Sequence, residues 1–214
     1  MTENLFEAQY DLTKKSKFRK FYESNKTLIF STIFILLILF GLIFYYIDKK
    51  EKENILLSEN YIQAKIYLNE GKNEAATQIL KKVIFSNHST YSTLSFFIIL
   101  DKNLINENEI KNLFNHLLDN NKYDEETRNL LLYKKALFSS SFVNESELLK
   151  QINPLINKNT YWKPHALFLM GDYFVSKKEY SKAKDFFKQI IAMENISTDF
   201  HQQAKSRLIN INND

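Results

Sequence analysis

Residues 61–83 read YIQAKIYLNEGKNEAATQILKKV, and residues 167–190 read LFLMGDYFVSKKEYSKAKDFFKQI. Placing Ala64 on Gly171 brings Tyr67 onto Phe174, Ala76 onto Ala183, Leu80 onto Phe187 and Val83 onto Ile190, an offset of 107 residues throughout. In both copies apolar residues recur at helical spacing on either side of a short polar link, which holds Gly71 in the first copy. Each stretch therefore predicts two helices folded back on one another. Small residues at 64/171 and 76/183 let the pair approach closely. The ring at 67/174 and the side chains at 80/187 and 83/190 fill the space around the crossing. The second copy also carries Asp172 and Tyr180, and has Lys178 where the first has its turn glycine.

The rest of the composition agrees with helices. Only 3 Gly and 2 Pro occur in 214 residues. Strand-rich folds need many tight turns, and turns draw on both residues. Asn is abundant and supplies the turn chemistry instead. A core rich in rings is expected from 18 Phe and 12 Tyr. There is no Cys, which excludes disulfides and thiolate-ligated metal. The net charge of +4 is mild and mixed in sign, unlike the clustered basic face of a nucleic-acid binder. Beyond residue 47, 23 Lys/Arg meet 21 Asp/Glu.

From Thr27 to Ile47 the chain reads TLIFSTIFILLILFGLIFYYI and carries no charge. As a helix it would be about 31 Å long, close to the hydrocarbon thickness of a bilayer. Leu28, Ile35 and Gly41 lie within this run, and Tyr45 and Tyr46 stand at its far end, where amphipathic rings prefer the interface. The run is too long for a signal-peptide core, and no Ala-x-Ala site follows it, so it is expected to remain as a membrane anchor. Six basic residues precede it (Lys14, Lys15, Lys17, Arg19, Lys20, Lys26) and three closely follow it (Lys49, Lys50, Lys52). That bias predicts a cytoplasmic N-terminal segment at 1–26, a span at 27–47 and a domain at 48–214 across the membrane, in the periplasm of a Gram-negative cell. Within the N-terminal segment, Phe18, Phe21 and Tyr22 lie at helical spacing beside the basic cluster. This reads either as a short interfacial helix on anionic headgroups or as a solvated tail that only sets topology.

Periodicity predicts one helix from Lys26 to Glu70 and further helices over Asn73–Phe85, Thr90–Leu100, Glu107–Leu118, Asp124–Phe138 and Glu145–Ile156. Pro154 is expected to end the last of these early. Three more follow: one with Pro164 in its first turn running to Ser176, one over Tyr180–Met193, and one over Asp199–Ile209. Eight or nine helices with short links suggest an antiparallel stack or solenoid.

The paired pattern resembles the tetratricopeptide repeat: a small residue, an aromatic three on, Ala twelve on, then large apolar residues four and seven beyond that Ala. The offset of 107 leaves room for two degenerate repeats between the copies. The segment from Thr90 to Leu155 supplies helices of the right length without the pattern. The order of parts covers nearly the whole chain: a basic segment with aromatics (KFRKFYESNK), an anchor ending in rings, a helix entering a first repeat (SENYIQAKIYLNEGKNEAA), a strong last repeat (MGDYFVSKKEYSKAKDFF) and a closing helix (HQQAKSRLI). In this it resembles the bacterial family of membrane-anchored tetratricopeptide-repeat-like proteins that includes the ancillary subunit of the SecYEG translocon. The resemblance implies an inner-membrane protein with a periplasmic interaction domain, and as partners the Sec translocon and the periplasmic chaperones that receive secreted proteins.

Nothing in the sequence reads as catalytic. His88, His116, His165 and His201 are too far apart to form a local metal motif. Ser139-Ser140-Ser141 sits outside any Gly-x-Ser-x-Gly elbow, and there is no glycine-rich phosphate loop. Glu125-Glu126 suits a helix start, Asp172 a repeat surface, and Trp162 either packing or a binding anchor. No cofactor, metal, nucleic acid or small-molecule substrate is expected. The leading expectation is an adaptor that binds proteins in a concave groove at the membrane; the alternative is a structural or assembly subunit of another envelope complex.

Overall fold

The computed structural model describes residues 17–194 and 196–213. These residues form nine α-helices, with no strand among them. The helices are α1 (Lys17–Asn69), α2 (Asn73–Ile84), α3 (Ser89–Asp101), α4 (Glu107–Asn120), α5 (Glu125–Ser139), α6 (Glu145–Ile156), α7 (Lys163–Ser176), α8 (Tyr180–Ile191) and α9 (Thr198–Asn213). The described chain divides into two units at Leu57/Ser58.

In the first unit, α1 carries the uncharged run. Its helical dihedrals are interrupted once, at Asn25 (φ −117°, ψ 19°). Thr27 and Gly41 are exposed, and so are Leu28, Ile35, Tyr45, Tyr46 and Ile47, each at more than half of its surface. Apolar side chains point outward all round the helix, and none of its most apolar window is buried against protein. This is the one helix among the described residues long and apolar enough to cross a membrane. The basic residues Lys14 and Lys15 lie outside the described residues, as do the side chains of Lys17 and Phe18.

The second unit begins with the last turns of α1 and is built by helices packing on their sequence neighbours: α2 on α3, α5 on α6, α6 on α7, α7 on α8 and α8 on α9. Next-nearest contacts join α5 to α7 and α7 to α9. Two apolar cores result. One holds Ala64, Ala76, Leu80, Phe96, Phe114 and Leu131 among others, and the second holds Leu148, Ile152, Met170, Phe174, Phe187 and Ile190 among others. Leu132 on α5 touches both.

Local chemistry sets the helix ends. The Asn106, Asp124 and Asn144 side chains accept from the backbone N–H of Glu109, Thr127 and Glu147 at 3.0, 2.8 and 2.9 Å. Each cap satisfies a donor that the first turn leaves unpaired, and Glu lies in the first turn each time, favoured by the helix dipole. Pro164 occupies the first turn of α7, where its missing N–H costs nothing. Pro154 does not end α6 early. It sits exposed in the last turn, and the Asn157 N–H still reaches the Asn153 carbonyl at 3.0 Å. Removing one donor that close to a helix end, on a wet face, leaves only one carbonyl to be solvated by water.

Candidate functional site

The two stretches that share a sequence pattern also share backbone geometry. Helices α2 and α8 have 12 residues each and begin 107 residues apart. Before α2, the Gly71 N–H donates to the Leu68 carbonyl at 3.1 Å and the Lys72 N–H to Tyr67 at 2.8 Å. Before α8, Lys178 donates to Val175 and Glu179 to Phe174, both at 2.9 Å. This is the Schellman arrangement, which needs a left-handed residue at the turn. Gly71 adopts φ 74° there and Lys178 adopts φ 60°. Residues 72 and 179 then take nearly the same conformation (φ −83°, ψ 60° and φ −90°, ψ 63°), with no side-chain cap in either place.

Around these turns Ala64, Ala76, Leu80, Val83, Ala183, Phe187 and Ile190 have no exposed surface; Gly171 is buried and Phe174 is 1% exposed. Tyr67 and Tyr180 are half-buried, and Gly71 is exposed. A Cβ on Gly171 would lie 2.6 Å from Cε1 and Cζ of Phe187. Only a glycine fits against that ring. At the matching crossing Leu80 replaces Phe187 and Ala64 replaces Gly171, so the side chain shrinks on one helix where a methyl appears on the other.

A run of rings lies along α5, α7 and α9. Tyr133 and Trp162 stand 5.6 Å apart between centroids, Trp162 and His165 5.1 Å, His165 and Phe200 4.8 Å, and Phe168 and Phe200 5.7 Å. The Trp162 indole N–H donates to Glu126 at 3.0 Å, which fixes the ring across to α5. Burial pushes the His165 imidazole below its ordinary pKa, and its bond with the Tyr161 carbonyl pulls it partly back. Asp172 is paired with Arg207 at 3.1 Å. Burial pushes its carboxyl up and Arg207 opposes that shift. Tyr133 is raised by burial and by the charge of Asp172. Beside the rings, Tyr161, Pro164, Met193, Ile196, Phe200 and Thr160 line a cavity of about 360 Å³. Tyr161 is 67% exposed at its mouth. Tyr133, Trp162, Phe168 and Phe200 are half-buried against the second core, and Tyr161 is the most exposed ring of the group.

The remaining candidates have local partners. The His88 ring accepts from Tyr91 N–H at 3.3 Å as the cap of α3, His116 bonds Asn87 at 2.8 Å, and His201 bonds the Met193 carbonyl at 2.9 Å. Ser139 is buried, and Ser140 donates to the Leu137 carbonyl at 2.8 Å. Glu125 pairs with Lys158 at 3.2 Å. No group of three metal-ligating side chains occurs among the described residues. The ring run escaped sequence reasoning because its members come from three helices and one loop, with no common spacing; the only signal was the cluster of Tyr161, Trp162 and His165 around a helix start. No family model matches the chain, and neither a curated protein nor a solved structure matches it.

Proposed function

We propose that this chain is a membrane-tethered adaptor: Thr27–Ile47 spans the inner membrane, and the helices beyond it form a tetratricopeptide-like stack that binds proteins in the periplasm and catalyses nothing. The observation that carries this reading is the turn geometry repeated 107 residues apart, together with buried small residues at both crossings. Stacked hairpins leave one face of their first helices open, and the ring run on α5, α7 and α9 supplies such a face with apolar contact area. Tethering raises the local concentration of a partner at the membrane without any new contact. The partners proposed are the Sec translocon and the periplasmic chaperones that receive its clients, on the strength of the order of parts in the sequence.

Two measurements test this. A reporter fused after Asp214 should be active only in the periplasm. Crosslinking in intact membranes, followed by purification of the chain, should recover translocon or chaperone subunits. A cytoplasmic C-terminus refutes the orientation. Recovery of a different, stoichiometric envelope complex would replace the adaptor with an assembly subunit.

A further inference from the structure

The segment that leads into the apolar run departs from it in both chemistry and geometry. Helical dihedrals break at Asn25, whose side-chain amide donates to the Phe21 carbonyl at 3.1 Å. A short amide competes in this way with the helical ladder, and breaks it two residues before the uncharged run begins. On the N-terminal side, Phe21 is 64% exposed and Tyr22 44% exposed. At 100° per residue, positions 18, 21 and 22 fall in one arc about 100° wide. Positions 19, 20, 23 and 24, which are Arg, Lys, Glu and Ser, fill the opposite side. Arg19 pairs with Glu23 at 3.4 Å along that polar side.

We infer that residues 17–24 lie in the membrane plane, with Phe21 and Tyr22 sunk to the level of the acyl boundary and the basic residues of the segment against anionic lipid headgroups. This rests on the reading of Thr27–Ile47 as a span. Were α1 straight through Asn25, Phe21 would stand about 9 Å beyond Thr27 along the axis, in water. A break at Asn25 lets the segment turn so that both rings stay at the depth of Thr27. Charge selects the surface. Six Lys/Arg against four Asp/Glu precede the run, and four of the six (Lys17, Arg19, Lys20 and Lys26) fall within eight residues of the break. A basic amphipathic helix of this kind binds anionic bilayers through ring burial and phosphate attraction together.

The chain has no cysteine, so single spin labels can be placed on the full protein without background. Lys20→Cys, Phe21→Cys, Tyr22→Cys, Glu23→Cys and Ile35→Cys, each labelled and reconstituted in phosphatidylcholine vesicles containing phosphatidylglycerol, report depth from collisions with oxygen and with a water-soluble nickel chelate. The in-plane segment gives alternation: 21 and 22 several-fold less accessible to nickel than 20 and 23, with 20 and 23 at equal depth. The labels at 20 and 23 leave both rings in place, so their equality is independent of any damage done at 21 or 22. Depth that falls steadily from 23 to 20, or four water-exposed labels with Ile35 in lipid, overturns the inference and leaves the span intact. Water exposure at Ile35 as well overturns the span. Alternation undiminished in pure phosphatidylcholine overturns the assignment to anionic headgroups.

Discussion

Replacing Gly171 with alanine adds one methyl, and that methyl would sit 2.6 Å from two ring carbons of Phe187. The ring has little freedom to retreat: Phe187 has no exposed surface, and Phe168 lies 5.6 Å away between centroids. Overpacking of this kind costs about 1–3 kcal/mol. Alanine regains about 0.5–1 kcal/mol over glycine inside a helix, so Gly171→Ala is expected to lose about 1–2 kcal/mol net. Phe187→Leu alone removes buried ring area and is expected to cost about 1–2 kcal/mol. Together the two changes rebuild the combination already present at Ala64 and Leu80. The double variant should therefore be close to Phe187→Leu alone, with a favourable coupling of at least about 1 kcal/mol. Urea unfolding of the full chain in detergent micelles, followed by far-ultraviolet circular dichroism, gives all four corners of the cycle. A Gly171→Ala variant as stable as the parent, or two changes that simply add, would show that the second crossing is not held by volume.

Three further outcomes follow from the same structure. Gly71 is left-handed with open space around it, so Gly71→Ala should lose about 1–2 kcal/mol from backbone strain alone, while Lys178→Gly, at the matching turn, should gain about 0.5–1 kcal/mol after the entropy of the freer unfolded chain is counted; urea midpoints check both. His165 is depressed in the folded state by burial, so the unfolded chain binds its proton first as pH falls; stability should decline from about pH 7 to about pH 5 and the decline should flatten in His165→Gln, as read from melting temperatures across that range. Replacing Ile35 and Leu39 together with lysine adds about 5–7 kcal/mol to insertion of the apolar run, and should move the chain from the carbonate-resistant membrane pellet into the supernatant.

Where the sequence pattern is carried by chain-local chemistry, the expected helix ends lie within about two residues of the observed ones, apart from the opening of α1 and the close of α9. The caps at Asn106, Asp124 and Asn144 announce themselves by an acidic residue in the following turn, and Pro164 by its suitability for a helix start. Pro154 misled, because the penalty for a missing donor depends on whether the freed carbonyl is buried, and spacing along the chain does not say that a last turn is wet. Helix α3 shows no polar face. Its apolar residues surround it, and the small polar side chains of Ser92 and Ser95 are fully buried, with the Ser92 hydroxyl donating to the Val83 carbonyl at 3.0 Å. A helix enclosed on most sides loses the periodicity that marks an amphipathic one. The ring run around His165 was illegible for a related reason. Its contacts are set by how α5, α7 and α9 stack, which is a property of the crossings.

The crossings also explain why the α3–α4 hairpin carries no repeat pattern. Gly71, Asn103 and Lys178 all occupy the left-handed region, and in all three places the next residue donates to the carbonyl five back: Lys72 to Tyr67, Leu104 to Ile99, Glu179 to Phe174. The turn chemistry of the α3–α4 link thus matches that of the two outer hairpins, even though its loop is longer. What differs stands seven residues before the turn. Ala64 and Gly171 hold that position in the outer copies, and Phe96 holds it in the middle. Phe96 is fully buried and meets Phe114 edge-on at 4.5 Å. A ring there occupies the space into which the second helix would otherwise descend, and α3 touches α4 far less than α7 touches α8. At α7–α8 the small residue is therefore a record of close approach between helices, while the turn depends on one left-handed residue that Gly, Asn or even Lys can supply at rising strain. A hairpin that fills its crossing with a ring keeps the turn and drops the pattern.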